Sequence, residues 1–221
     1  MQGDKALLVL TPVPPAAQTL SPVGITSATS AALLAPSKTS LTVRRAQLNV
    51  LEGQSATIAG TLADGHHKRL SRRVIVLQSL GNHGWRSVAQ ARTNARGLFR
   101  FHYTARGLGS QLVRVRFAGD PFDLPSRKRL GRLNVYREVG ASWYGGGGSL
   151  ACGGSLTGST LGVANKTLPC GTIVTLRYGG HTVRVPVIDR GPYVEGREFD
   201  LTEATKAALG FGDTGQIWST R

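Results

Sequence analysis

The clearest structural pattern of the chain lies in residues 173–201, IVTLRYGGHTVRVPVIDRGPYVEGREFDL. Apolar and polar residues alternate on both sides of Gly179 and Gly180, which is the pattern of two strands joined by a tight turn. The second strand ends abruptly at residues 189–192, DRGP, because a Gly-Pro pair is typical of a turn. The stretch therefore predicts an antiparallel hairpin with Asp189 at the end of an apolar strand.

A short helix and a last strand are predicted downstream. Thr202 is a residue type that caps helix starts, and Gly210 is one that ends helices, so we expect a helix from Glu203 to Leu209. Residues 216–218 are expected to form the final strand.

Upstream of the hairpin lie Cys152 and Cys170, the two cysteines of the chain. Neither has the spacing of a metal site or of a C-x-x-C redox site, so one disulfide is the simplest interpretation. Two buried free thiols in a cytosolic protein are the alternative. A disulfide requires an oxidising compartment, and the pair therefore predicts a secreted or cell-envelope protein.

Residues 139–221 resemble the double-psi β-barrel domain of the rare lipoprotein A family, with expansins as more distant relatives. The resemblance depends on KTLP at 166–169, IDRGP at 188–192 and FDL at 199–201, in that order. It implies a six-stranded barrel with a polysaccharide-binding groove. It also implies lytic transglycosylation of peptidoglycan glycan strands, which breaks the bond between N-acetylmuramic acid and N-acetylglucosamine and forms a 1,6-anhydro product.

Two aspartates are the candidate catalytic residues. Cleavage of a glycosidic bond needs a carboxyl group that protonates the leaving oxygen, and one carboxyl can serve as acid and then as base when the sugar's own 6-hydroxyl attacks. Asp189 ends an apolar strand, and Asp200 lies between Phe199 and Leu201; apolar neighbours help a carboxyl group keep its proton. The resemblance maps Asp189 onto the family's acid and Asp200 onto the aspartate that expansins need. A salt bridge or turn cap with Arg190, and a helix-start cap for Asp200, are the structural alternatives.

The expected substrate-binding residues are Asn165, Thr167, Tyr144, Arg190 and Tyr193. Asn165 departs from the family, because the lytic enzymes usually carry His at this position. An asparagine can hydrogen-bond to a sugar hydroxyl but cannot shuttle a proton at neutral pH. The departure favours an alternative function, non-catalytic polysaccharide binding or expansin-like wall loosening. The two tyrosines are candidates for stacking on sugar rings, with core packing as the alternative; no metal or cofactor is expected.

Residues 41–138 predict an antiparallel β-sandwich, which makes the whole chain mainly β. Six or seven short strands recur at regular spacing between turns that contain Gly or Asp. The segment resembles bacterial immunoglobulin-like modules. Arg100, Arg114 and Arg116 occupy outward positions of the later strands, and we expect them to form one basic stripe.

The charge of the chain is concentrated in this middle segment. The formal net charge is +15, and Lys and Arg outnumber Asp and Glu 18 to 5 between residues 41 and 138. We expect the sandwich to contact anionic wall polymers, with a merely solvated face as the alternative. Specific nucleic-acid binding is disfavoured because stacking aromatics, helix-turn-helix and zinc patterns are missing from the sequence. The protein is expected to be a monomer.

Residues 1–40 are rich in Ala, Pro, Ser and Thr and are predicted to be a flexible leader or a degenerate signal region. The apolar run at 6–10 is shorter than a normal signal sequence requires. No apolar stretch is long enough to predict a transmembrane helix.

Overall fold

Strands dominate the computed structural model, which describes residues 35–221. The predicted leader therefore lies outside the described residues, except for its last six, and the first strand already begins at Thr39. The strands are β1 (Thr39–Ala46), β2 (Asn49–Leu51), β3 (Ser55–Asp64), β4 (Val74–Gly81), β5 (Gly84–Arg92), β6 (Leu98–Thr104), β7 (Gly109–Phe117), β8 (Ser126–Tyr144), β9 (Gly148–Ser149), β10 (Ser155–Leu156), β11 (Val163–Ala164), β12 (Ile173–Tyr178), β13 (His181–Asp189), β14 (Phe199–Thr202) and β15 (Gly215–Ser219), and the helix α1 is Glu203–Leu209.

The middle segment folds into two sheets that share one apolar core. One sheet has the order β1-β3-β6; the other has the order β8-β7-β4-β5, with β2 added parallel to β8. Alternation along each strand sends one side chain in two toward the facing sheet. The shared core includes Ile58, Leu62, Ile75, Leu77, Phe99, Phe101, Val113, Val115, Phe117, Leu133 and Val135. A two-sheet sandwich is therefore present, and its likeness to immunoglobulin modules stays a prediction.

The prediction that Arg100, Arg114 and Arg116 form one stripe is wrong. Arg100 lies on β6, in the three-stranded sheet, whereas Arg114 and Arg116 lie on β7, in the other sheet. Strand alternation predicts that a side chain points outward, but it does not say which of two sheets the strand joins. The basic residues are consequently divided between the two outer faces.

Strand β8 continues from the sandwich into the C-terminal segment without a break. The predicted domain boundary between residues 138 and 139 falls inside this strand, and the boundary itself stays a prediction. Tyr136 is fully buried at this point, its hydroxyl donates to Asn49 Oδ1 at 2.8 Å, and its ring lies 5.8 Å from that of Trp218 in β15. These contacts pack the start of the C-terminal segment against the sandwich.

The C-terminal segment is a closed six-stranded barrel. Its strands follow each other in the order β8, β15, β12, β13, β11 and β14, and β14 pairs with β8 again. The β8–β14 and β11–β13 pairs are parallel, and the other pairs are antiparallel. The interior is filled by Val139, Ala141, Val163, Val174, Leu176, Val185, Val187, Phe199, Leu201, Leu209, Phe211 and Ile217. This closure confirms the predicted barrel.

Local signals in this segment are also confirmed. The β12–β13 hairpin turns at Gly179 and Gly180, whose φ angles of 54° and 94° explain why both positions are glycine. Thr202 Oγ1 accepts a hydrogen bond from Thr205 N at the start of α1, and Gly210 ends the helix with φ 63°. Among residues 35–221, no helix is long and apolar enough to cross a membrane.

Candidate active site

The two candidate catalytic aspartates lie in one row across three strands of the barrel. Ala164 of β11 pairs with Asp189 of β13 on one side and with Asp200 of β14 on the other. Adjacent strands are ~4.8 Å apart, so the two backbones are separated by about 10 Å. The barrel therefore brings together two carboxyl groups that are eleven positions apart along the chain.

Asp200 points away from the barrel core because it alternates with two core residues. Phe199 and Leu201 are fully buried, so the side chain between them turns to the other face of β14. Ser142 pairs with Asp200 across the parallel β8–β14 pair, and its hydroxyl donates a hydrogen bond to Asp200 Oδ1. The serine hydroxyl thus orients one carboxylate oxygen of Asp200.

Asp189 is directed by an irregularity in the β11–β13 pairing. Val163 pairs with Val187 and the next residue pairs with Asp189, so Ile188 is skipped in the register. Asp189 Oδ1 accepts hydrogen bonds from Ala151 N at 2.9 Å and Arg190 N at 2.8 Å. These two bonds use one carboxylate oxygen and do not involve Oδ2.

Tyr144 provides a hydroxyl next to both carboxylates. The oxygen is buried and forms no hydrogen bond to any residue between 35 and 221. Burial raises the pKa of the Tyr144 hydroxyl above its ordinary value, and the nearby charges of Asp189 and then Asp200 raise it further. Attraction between the hydroxyl and the Asp189 carboxylate contributes to this shift, although their geometry falls short of a hydrogen bond. The phenol therefore keeps its proton to a higher pH than an ordinary tyrosine does.

Asn165 is buried, and its side chain binds backbone groups of neighbouring loops. Its Oδ1 accepts from Thr167 N at 3.0 Å and Leu168 N at 2.8 Å, and its Nδ2 donates to Glu198 O at 3.1 Å. Its own backbone N donates to Asp189 O at 3.1 Å. The residue lies next to Asp189, but its amide group holds loops together, and its predicted contact with substrate stays a prediction.

Arg190 holds the same loop from the other side. Its guanidinium donates to Asn165 O at 3.1 Å, to Leu168 O at 2.9 Å and to Cys170 Sγ at 3.2 Å. The side chain therefore forms no salt bridge with Asp189 and serves the backbone of residues 165–170. Its expected role in substrate binding likewise stays a prediction.

The predicted disulfide between Cys152 and Cys170 is present. It links the glycine-rich loop after β9 to the loop that carries Asn165. Cys152 N also donates to Ile188 O at 3.2 Å, next to Asp189. The disulfide thus fixes two loops that border the aspartate.

The other two predicted residues are exposed. Tyr193 is 80% exposed in the loop after β13, which leaves its ring accessible to a sugar. Thr167 is exposed and lines a cleft of about 520 Å³ together with Asn165 and Lys166. Neither Asp189 nor Asp200 lines this cleft; the cleft and the aspartate row meet at Asn165.

Sequence reasoning missed two elements of the site. Ser142, the hydrogen-bond donor to Asp200, lies two positions before Tyr144 on the same strand, and this period-two spacing was the available signal. The ion pair between Arg137 and Glu198 at the edge of the cleft had no sequence signal, because the partners are far apart along the chain.

The barrel segment matches a known protein family. Residues 136–218 match a family model described as lytic transglycolase. The resemblance predicted for residues 139–221 is thereby confirmed for the barrel.

Curated relatives match part of the chain. A probable endolytic peptidoglycan transglycosylase RlpA of Aquifex aeolicus is 40% identical over 82 residues, which are 35% of this chain and 36% of the relative. One of Synechocystis is 31% identical over 128 residues, 51% of this chain and 40% of the relative. The endolytic peptidoglycan transglycosylase RlpA of Pseudomonas aeruginosa is 40% identical over 87 residues, 37% and 26% of the two chains. The chain spans less than half the length of these relatives.

Among solved structures, the Streptomyces papain inhibitor is 28% identical to this chain. The match covers 38% of this chain and 96% of the inhibitor, with a TM-score of 0.31.

Proposed function

We propose that the protein is an exported cell-envelope protein that cleaves peptidoglycan glycan strands as a lytic transglycosylase. The observation that carries the proposal is the row of Asp189, Ala164 and Asp200, with the Tyr144 hydroxyl beside it, inside the segment that matches the lytic transglycolase model. The names of the curated relatives support peptidoglycan as the substrate.

In the proposed reaction, Asp189 acts first as an acid and then as a base. Its protonated carboxyl group gives the proton to the glycosidic oxygen while the bond from C1 to that oxygen breaks. The carboxylate then accepts the proton of the sugar's 6-hydroxyl while O6 bonds to C1. The products are a new chain end and a 1,6-anhydro sugar, no water is consumed, and the carboxyl group is regenerated.

Neighbouring groups have supporting roles in this proposal. The backbone N–H groups of Ala151 and Arg190 hold Oδ1 of Asp189, so Oδ2 is the oxygen we assign to proton transfer. The Tyr144 hydroxyl is protonated at neutral pH, as any tyrosine is, and is therefore a hydrogen-bond donor; its raised pKa keeps it so at higher pH. Among residues 35–221, the Asp200 side chain accepts one hydrogen bond, from the Ser142 hydroxyl, and Asp200 is proposed to stabilise positive charge that develops at C1.

Asn165 favours a second candidate function, binding or loosening of wall polysaccharide without cleavage. Its amide group already serves three backbone groups, and an amide cannot exchange a proton near neutral pH. Under this function the exposed Thr167 and Tyr193 would hold the polymer, and Asp189 and Asp200 would contact sugar hydroxyls.

Product analysis separates the two functions. The full chain is incubated with glycan strands stripped of their peptides, and 1,6-anhydro ends are measured by mass spectrometry. Cleavage predicts such ends from the wild type and their loss in Asp189→Asn. The matched control is Asp213→Asn, which removes a carboxylate whose side chain is 84% exposed and is expected to leave cleavage at the wild-type level. Absence of 1,6-anhydro ends from the wild type contradicts the catalytic function.

Sedimentation with intact wall tests the second function. Binding without cleavage predicts that the wild type sediments with wall material and creates no new chain ends. In that case Asn165→His is expected to introduce cleavage, because an imidazole can exchange a proton near neutral pH. Failure of the wild type to sediment would reject this function.

Three further properties belong to the same proposal. Export to an oxidising compartment is supported by the disulfide between Cys152 and Cys170. We also propose that the protein is a monomer. The basic sandwich is proposed to contact anionic polymers of the envelope.

A further inference from the structure

One outer face of the sandwich carries five arginines on two neighbouring strands. We call it the arginine face; it consists of Arg114 and Arg116 on β7 and Arg127, Arg129 and Arg132 on β8. Arg114 lies directly opposite Arg129, and Arg116 lies directly opposite Arg127. Like charges placed directly opposite each other destabilise a sheet. The two opposed arginine pairs therefore lower the stability of the folded protein, which pairs of neutral residues would not do.

Negative charge is missing from the strands that form this face. Strands β4, β5 and β7 contain no Asp or Glu, and the one acid of β8 is Glu138, which pairs with Trp218 of the barrel. Within residues 35–221, none of the five arginines takes part in a salt bridge. No ion pair within these residues neutralises their charges, which leaves them available to an anionic partner.

On the arginine face, the side chain of Arg114 is held in place before any ligand binds. The Arg114 guanidinium lies 4.1 Å above the Trp85 ring, and its Nε donates to Gln78 Oε1 at 2.8 Å. Partial burial, and then the charges of Arg127 and the other nearby arginines, lower the pKa of Arg114 below its ordinary value. The repulsion among these groups is therefore a property of this arrangement, which an anion would relieve.

A hollow of about 390 Å³ lies next to the opposed pair Arg116 and Arg127, which line it together with Phe117, Pro125 and Ser126. Two residues along a strand cover ~6.8 Å, and neighbouring strands are ~4.8 Å apart, so the backbone positions of the opposed pairs Arg114–Arg129 and Arg116–Arg127 form two short rows. Charges repeated along two strands match a linear polyanion better than a single small anion. The forked guanidinium geometry suits phosphate oxygens in particular.

We propose that the arginine face is a docking surface for a linear phosphodiester polymer of the cell envelope. Nucleic acid is the less favoured phosphodiester because the aromatic ring of this face, Trp85, is covered by Arg114 and is not open for base stacking. The proposal rests on the proposed envelope location but not on the catalytic step. Loss of glycan cleavage would leave it unaffected, and loss of polymer binding would leave cleavage unaffected.

Binding of the full chain to soluble poly(glycerol phosphate) tests the proposal, with single-stranded DNA and poly-glutamate of matched charge as competitors. The test variant replaces Arg114, Arg116, Arg127 and Arg129 with Gln. The control variant replaces Arg44, Arg45, Arg96 and Arg100, four exposed arginines of β1, β6 and the turn before β6, with Gln. Both variants lose four positive charges, so net charge is matched and only the location differs.

We expect the test variant to lose roughly tenfold or more in affinity for poly(glycerol phosphate), and the control variant to stay within about twofold of wild type. Thermal unfolding verifies that both variants are folded. Equal losses in both variants would overturn the proposal, since they indicate non-specific charge attraction. Tighter binding of DNA or poly-glutamate, or failure to bind poly(glycerol phosphate), would also overturn it.

Discussion

Asp189 and Asp200 lie on opposite sides of Ala164, each directly opposite it on a neighbouring barrel strand. Both carboxylates act on the Tyr144 hydroxyl, which is buried and has no hydrogen-bond partner within residues 35–221. The arrangement makes Tyr144 a reporter of the two charges. It also allows the electrostatics of the site to be measured without any assumption about the substrate.

The pKa of Tyr144 should fall when either aspartate loses its charge. Asp189→Asn is expected to lower it more than Asp200→Asn, because Asp189 contributes both a larger charge effect and a direct attraction. The measurement is an ultraviolet titration of phenolate, with Tyr144→Phe used to subtract the other tyrosines. Asp213→Asn is the control, since Asp213 does not contribute to the Tyr144 shift, and it should leave the curve unchanged. A larger effect from Asp200→Asn would contradict the geometry.

Tyr144→Phe and Tyr136→Phe should affect stability in opposite ways. Tyr144→Phe removes a buried hydroxyl without a partner, so the free energy of unfolding should stay unchanged or rise. Tyr136→Phe removes a hydrogen bond to Asn49 Oδ1 at a fully buried position and should cost about 1 kcal/mol. Urea unfolding at neutral pH measures both. Similar losses in the two variants would show that the Tyr144 hydroxyl is satisfied in solution.

Alkaline pH should destabilise the wild type more steeply than Tyr144→Phe. The folded-state pKa of Tyr144 is raised above its ordinary value of 10.0, so above that pH the unfolded chain loses this proton while the folded chain keeps it. The contribution of Tyr144 to the free energy of unfolding is therefore fully present below pH ~10. It is lost as the pH rises toward the folded pKa, by at most about 1.4 kcal/mol per pH unit. Urea unfolding at roughly pH 8 and pH 11 measures the difference. Parallel pH profiles of the two proteins would disprove it.

Opening the disulfide should lower stability and loosen the loops around Asp189. Joining Cys152 to Cys170 restricts the unfolded chain, which for a loop of this size is worth about 3 kcal/mol. Urea unfolding with and without a thiol reductant measures the change, which can be assigned to this bond because the chain has two cysteines. The double variant Cys152→Ser, Cys170→Ser should match the reduced wild type and be insensitive to reductant. A response of the double variant would mean that the reductant acts elsewhere.

Much of the barrel follows from local sequence signals, and much of the site does not. The Gly179-Gly180 turn and the helix capped by Thr202 are specified by residues within a few positions of each other, so they were predictable. The continuity of β8 through the expected domain boundary was not, because its two halves alternate in the same way as two separate strands would.

The roles of Asn165 and Arg190 show the same limit. Their residue types suggest contact with sugars, yet their side chains hold backbone groups of residues 165–170 and 198. Which groups a polar side chain meets depends on loops brought together by the closed barrel. A single sequence contains no signal for such contacts.

Arg190→Lys tests whether this side chain positions the loop. The guanidinium of Arg190 bonds to Asn165 O, Leu168 O and Cys170 Sγ at once, a fork that a lysine ammonium cannot reproduce. We expect a loss of about 1–2 kcal/mol in the free energy of unfolding and faster amide hydrogen exchange in residues 165–170. The control is Arg184→Lys, an exposed arginine of β13, the strand that ends just before Arg190, and it should change neither quantity. If Arg190→Lys weakens binding to glycan strands while stability and exchange remain those of wild type, the guanidinium contacts substrate instead.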